Sequence, residues 1–203
     1  MKITTTLLGL IAAILMLGSL GCDEYGKVDQ GRVVEFDKEK QTVTVIQDKA
    51  MDAQHPDYSI LPAHTYTMPT ERMERGADPK AGYRIKLDVD KKYVKLYNPD
   101  TQDFDELTIE LIDVQKNIAR DHPLVFDKEA NKPKAFPVID KDKKAITIYS
   151  ERQKLLATFG VPDEYINLPD KTWDAGDEVR VYYKTEGVAI RFMNISKTDI
   201  FKK

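Results

Sequence analysis

The feature that most constrains the fold is a charged hairpin that occurs twice. Val33 to Val45 reads VVEFDKEKQTVTV, and Pro137 to Ile148 reads PVIDKDKKAITI. Aligned without gaps, Phe36 meets Ile139, Asp37 meets Asp140, Lys40 meets Lys143, and Val43-Thr44-Val45 meets Ile146-Thr147-Ile148. Each copy is an apolar strand, a charged turn and an alternating strand, the pattern of an antiparallel hairpin. Three more blocks follow in the same order. Thr65-Tyr66-Thr67-Met68-Pro69 parallels Thr158-Phe159-Gly160-Val161-Pro162, and Ala81-Gly82 through Leu87 parallels Ala175-Gly176 through Val181. Val94 to Asn98 parallels Ile190 to Asn194. Four blocks in one order point to an internal duplication.

Period-two alternation places Val43, Val45, Ile85, Leu87, Val94 and Leu96 on one buried face of the first copy. Ile146, Ile148, Val179, Val181, Ile190 and Phe192 take the same places in the second. Five or six short strands per copy, with no pairing helix, predict an all-β fold of two tandem small antiparallel β-barrels. Closure would remove the exposed strand edges that invite aggregation. The expected division is 31–120 for the first barrel-like repeat and 121–203 for the second. Leu107 to Val114 reads as a further strand, Asp127 to Lys134 as a connecting loop, and Glu151 to Thr158 as helical turns. The first copy is longer by an insert within Gln47 to Pro62. The start of one strand, Gly176-Asp177-Glu178-Val179-Arg180-Val181, resembles the G-D-x-V-x-V opening common in OB-like barrels; the first copy has Tyr83 in place of the aspartate. That resemblance implies a fold and no ligand.

The first 22 residues have a different character. Lys2 gives a positive start, Leu7 to Leu17 is apolar apart from Gly9, and Gly18, Ser19 and Gly21 lead to Cys22. Charge, apolar middle and small-residue exit are the order of a secretion signal. The alternative is an uncleaved membrane helix over 3–21, which its threonines and glycines suit poorly. Cys22 is the chain's one cysteine, so no internal disulfide can form. A lone thiol in an oxidising compartment is a liability unless modified. Leu17-Gly18-Ser19-Leu20-Gly21-Cys22 resembles the bacterial lipobox, with Gly21 as the small residue before the cysteine. Ser19 stands where that motif has leucine, and Leu20 follows one place later. The resemblance implies cleavage before Cys22, lipid attachment to its sulfur and a bacterial membrane location, facing the periplasm or the outside of the cell. Residues 1–21 are then a lipoprotein signal peptide and 22–30 a tether. The mature chain also resembles uncharacterised bacterial lipoproteins classed as domains of unknown function.

Removing residues 1–21 takes one lysine and no acid from a chain of net charge −3, leaving −4. A mixed, mildly acidic surface suits solubility and argues against a nucleic-acid partner, whose phosphates dominate such binding. The chain holds no G-x-S-x-G, P-loop or H-E-x-x-H motif, so an enzyme is not expected and no cofactor is implied. The expected function is a membrane-anchored, non-enzymatic binding or assembly module of the cell envelope, partnered by the membrane through its lipid and by an envelope protein or component. Aromatic side chains anchor interfaces, which makes Trp173, Tyr182 and Tyr183 the candidate binding surface. Alternation puts one of the two tyrosines inward. Trp173 could equally close the bottom of the second barrel. The alternative function is a copper-handling lipoprotein. Between Met51 and Met73 the chain carries His55, His64 and Met68, and imidazole with thioether suits Cu(I). Against it stand the lack of a tight H-x-H spacing and the alignment of Met68 with Val161, which marks it as a core residue.

Overall fold

A computed structural model describes residues 25–52 and 55–198. The expected signal peptide, 1–21, and Cys22 lie outside them. The first half supplies β1 (Lys27–Asp37), β2 (Thr42–Gln47), β3 (His64–Thr67), β4 (Arg84–Asp88), β5 (Tyr93–Asn98), β6 (Asp103–Thr108) and β7 (Glu110–Lys116). Then come β8 (Phe126–Asp127), β9 (Lys132–Pro133), β10 (Val138–Asp140), β11 (Ala145–Ser150) and β12 (Leu155–Gly160). A single helical turn, α1 (Asp163–Ile166), precedes β13 (Glu178–Thr185) and β14 (Val188–Asn194). The chain is all-β, as expected. Among the described residues no helix is long and apolar enough to cross a membrane.

The two charged hairpins are built alike. In β1–β2, Asp37 lies opposite Thr42 and Phe36 opposite Val43. In β10–β11, Asp140 lies opposite Ala145 and Ile139 opposite Ile146. Each turn begins with an aspartate whose carboxylate accepts backbone N–H groups, from Lys40 at 2.9 Å and from Lys143 at 3.0 Å. Each ends with a non-glycine residue in the left-handed region, Gln41 at φ 53° and Lys144 at φ 52°. This is the longer-loop hairpin in which a left-handed residue re-aligns the strands. The next strands also correspond. Thr44 and Thr65 share a hydroxyl hydrogen bond of 2.9 Å across β2–β3, and Thr147 and Thr158 share one of 2.9 Å across β11–β12. Met68 N–H donates to Gln41 O, and Val161 N–H to Lys144 O.

After these strands the two halves part company. One closed barrel runs β1-β13-β14-β3-β2. Its strands come from both sides of position 120. The remaining strands form a three-stranded sheet β4-β5-β6 and a four-stranded sheet β10-β11-β12-β7. These share one core, in which Leu87, Val94, Leu96 and Leu107 pack with Ile146, Ile148, Phe159 and Trp173. The barrel core likewise mixes Val43, Val45, Tyr66 and Met68 with Val179, Val181 and Phe192. So the expected order, one barrel in 31–120 and another in 121–203, gives way to two interlocked units. Each half places its first strands in one unit and its last hairpin in the other.

The exchange happens where the two Ala-Gly pairs meet. Gly82 N–H donates to Val33 O, Arg84 N–H to Asp174 O, and Asp177 N–H to Lys80 O. Tyr83 and Ala175 form an antiparallel bridge. A Cβ on Gly82 would overlap the Asp174 carbonyl, and one on Gly176 would overlap that of Val33. Only glycine lets backbones approach this closely. The repeated glycines are therefore the price of the crossing.

Several local expectations change. The expected tether over 22–30 is in part strand, because β1 begins at Lys27 and already buries Asp29 and Gln30. Residues 155–158 are strand rather than helical turns, since β12 has β11 on one side and β7 on the other. Ile190 is 41% exposed. The β13–β14 register skips it, pairing Tyr182 with Arg191 and Tyr183 with Ala189, and a bulge residue leaves the alternation. Ile85 is buried, but in a third cluster with Val34, Ile46, Tyr58, Tyr83 and Tyr97 between barrel and second unit.

Two outcomes follow from the exchange. Expressed separately, 24–120 and 121–203 each lack half of both cores and should stay unfolded, giving collapsed amide dispersion in NMR spectra; a folded half would refute the interlocked topology. Gly176→Ala should cost about 3 kcal/mol in urea unfolding, whereas Gly160→Ala, whose Cβ would meet nothing nearer than 3.8 Å, should be close to neutral.

Candidate functional site

The bulge that buries Ile85 also turns Arg84 inward. β4 pairs Arg84 with Leu96 and Lys86 with Lys95, so Ile85 is the extra residue. Arg84 and Ile85 are consequently both buried, at 6% and 5% exposure. The Arg84 guanidinium donates through Nε to Trp173 O at 2.9 Å. Its terminal N–H groups have no hydrogen-bond partner among the described residues, and no described carboxylate lies within ion-pair range of it. Burial, helped by the neighbouring charges of Arg32 and Arg152 and opposed by Asp174, pulls its pKa down to about 10.

Arg84 stands between two cavities. The larger, about 650 Å3, lies under the β8–β9 segment, and its apolar wall includes Val125, Phe126, Phe136 and Ile148. The smaller, about 350 Å3, lies beside the crossing and is lined by Arg32, Lys86, Arg152 and Glu178 among others. Arg84, Tyr149, Glu151 and Ala175 line both. In the larger cavity Lys80 is engaged with Asp174 at 2.8 Å, and Lys134 donates to Pro123 O at 2.8 Å. Burial raises the Asp174 pKa above its ordinary value, against the pull of Lys80.

The smaller cavity ends on a buried ion pair. Arg32 Nη2 is 3.7 Å from Glu178 Oε2, and Tyr58 donates its hydroxyl to the same oxygen at 2.8 Å. The Arg32 guanidinium also lies over the Tyr58 ring, 5.1 Å from its centroid. Burial pushes the Glu178 carboxyl up, while Arg32 and the Tyr58 hydroxyl pull it down. Tyr58 belongs to the first-copy insert. Asp48, fully buried, accepts N–H groups from Ala50, Asp52 and Asp57 and so shapes that loop to bring Tyr58 over the junction.

The residues singled out from the sequence are distributed as follows. Trp173 is 0% exposed, so it offers no surface; it is packed against Phe159 in the core of the second unit, and it also lines the larger cavity. Its indole N–H has no partner among the described residues. Tyr183 points into the barrel, where its hydroxyl donates to Asp29 at 3.2 Å; Tyr182 is half-buried. Tyr66 also donates to Asp29, and His64 Nδ1 lies 3.7 Å from that carboxylate. His55 is exposed and engaged with Asp52, while Met68 is in the barrel core. Among the described residues no three or more His, Cys, Asp or Glu side chains are grouped to hold a metal ion. Arg84 was missed because alternation assigns it, like Lys86, to the outside. Its position two residues after Gly82, inside the repeated block that Ala81 opens, is the available signal.

Tyr58→Phe should cost about 1–3 kcal/mol, because Glu178 loses a donor while still buried. The Tyr58 bond favours the ionised carboxyl, whose pKa in the fold lies above 4.5. Its contribution is therefore present at higher pH and lost as pH falls through the folded pKa. Urea unfolding across a pH series should find the loss largest at the alkaline end and shrinking as pH falls through the folded pKa; a loss independent of pH would contradict the coupling.

A family described as a domain of unknown function (DUF4881) matches residues 24–203. No curated protein and no solved structure matches the chain.

Proposed function

We propose a role for this chain, which belongs to the DUF4881 family, from its own residues: it is a lipid-anchored, non-enzymatic binding module of the bacterial cell envelope. The binding half of this reading rests on one observation: Arg84, a largely buried residue, lines two cavities with its terminal donors open to them rather than bonded to described residues. Removing a charge from water costs several kcal/mol unless a partner compensates. An anionic partner entering the cleft would supply that compensation. The anchoring half rests on Cys22 and the residues before it. Each buried methylene contributes about 0.8 kcal/mol, and two or more acyl chains make the attachment stable.

β1 starts five residues after Cys22, so at most about 18 Å of extended backbone separates the anchored residue from the barrel. Tyr25 and Lys27, exposed at this end, suit a lipid headgroup region. The module then works at the membrane surface, facing the periplasm or the outside of the cell. The duplication enters this proposal as two copies that fold into each other and form the cleft where they cross.

Mass spectrometry of the protein from bacterial cells should find an acylated Cys22 as the first residue. A photo-crosslinking side chain placed at Arg120, on the rim of the larger cavity, should capture a specific envelope component in intact cells. An intact Met1 would sink the anchor, and a blank at Arg120 across growth conditions would sink the binding role.

A further inference from the structure

We infer that the larger cavity is a site for a monocarboxylate with an apolar body, its carboxylate held by Arg84; this rests on the binding role above and names the ligand class. The Arg84 Nε is committed to the Trp173 carbonyl. That bond fixes the guanidinium plane and leaves its two terminal amino groups as donors. Two parallel N–H groups match the two oxygens of one carboxylate, a geometry that lysine cannot reproduce.

Charge selects a monoanion. Lys80, Arg84, Arg120 and Lys134 line the cavity against Asp121, Glu151 and Asp174, a surplus of one positive charge. A dianion such as a phosphate monoester would be left with an uncompensated charge beside Asp121 and Glu151. The wall selects the rest of the ligand. Val125, Phe126, Phe136, Pro137 and Ile148 present apolar surface, which favours an aromatic or branched body that leaves water against it. The volume, about 650 Å3, is that of a small-molecule pocket. The carboxylate could belong to a free organic acid or to the last residue of a polypeptide.

Trp173 is the chain's one tryptophan and lines the cavity, so its fluorescence reports on the site without a label. The full chain, reconstituted in phospholipid nanodiscs, is titrated with 3-phenylpropionate and with its neutral isostere 3-phenylpropanamide. A saturable change with the acid and none with the amide is expected. Arg84→Lys should weaken acid binding at least about tenfold, since it keeps the charge and loses the fork. Should that variant fail to fold, the acid–amide comparison on the native chain decides alone. A phenylalanine-ending tripeptide, free or amidated at its C-terminus, separates the two sources: tighter binding of the free peptide than of the small acid assigns a polypeptide end, and the reverse assigns a free acid. No saturable response to any carboxylate, equal response to the amide, or tighter binding of the matching phosphonate overturns the inference. If crosslinking at Arg120 still captures a partner, the ligand class falls and the binding role stands; if that too is blank, both fall.

Discussion

Everything in this structure depends on two backbone segments passing in direct contact at Ala81-Gly82 and Ala175-Gly176. There Val33, Lys80, Arg84, Asp174 and Asp177 exchange main-chain hydrogen bonds, and no side chain separates the chains. The contact lets β13 and β14 leave the second half and close the barrel, while β4 to β7 leave the first half to complete the other core. It also sets the folding problem. Lys27 pairs with Tyr183 and Arg32 with Glu178, so the barrel cannot close until almost the whole chain is present. Loop-closure entropy makes such long-range pairing slow.

A crossing of this kind concentrates polar groups where apolar cores cannot reach. Between the barrel and the second unit the gap is filled partly by the Tyr58–Tyr83–Tyr97 cluster and partly by charge. Arg32 is answered by Glu178 and by the Tyr58 ring. Among the described residues Arg84 is answered by a carbonyl alone. Three arginines around one small cavity repel one another, and the pull on Arg84 from Arg32 and Arg152 registers that repulsion. A purely structural joint would be better served by apolar side chains, because a buried charge is worth keeping only when something compensates it. The contrast between Arg32, paired with Glu178, and Arg84, bonded to a backbone carbonyl, is what supports the proposed binding role.

The elements that depend on local patterning were readable in advance. The two hairpins, the alternating faces of β2, β11 and β13, and the all-β class follow from period two and from the turn aspartates. What was not readable is which strand pairs with which. Two equivalent hairpins offer nearly equivalent partners, and a four-block repeat is equally consistent with tandem and with exchanged units. The choice is made by the strand formed of β6 and β7, which has no counterpart in the barrel and joins β5 on one side to β12 on the other. The site was hidden for a related reason. Bulges at Val34, Ile85 and Ile190 break the alternation, and one of them buries Arg84. Trp173 reads from the sequence either as an aromatic anchor or as a plug in a barrel core; that it is buried and also lines a cavity comes from pairings that span the whole chain.

The same geometry would tie the proposed binding to the stability of the entire fold. Arg84 sits on a strand of the second unit, its backbone N–H bonds the segment leading into β13 of the barrel, and its side chain holds Trp173 in the other core. A ligand that neutralises Arg84 relieves a cost carried by both units together. A ligand that binds only the folded chain stabilises it by RT ln(1 + [L]/Kd). In a protein whose flexible part lay in a surface loop, that gain would order the loop. Here the proposed ligand would sit at the crossing itself, so its gain would fall on the contact that holds the two halves in each other's cores.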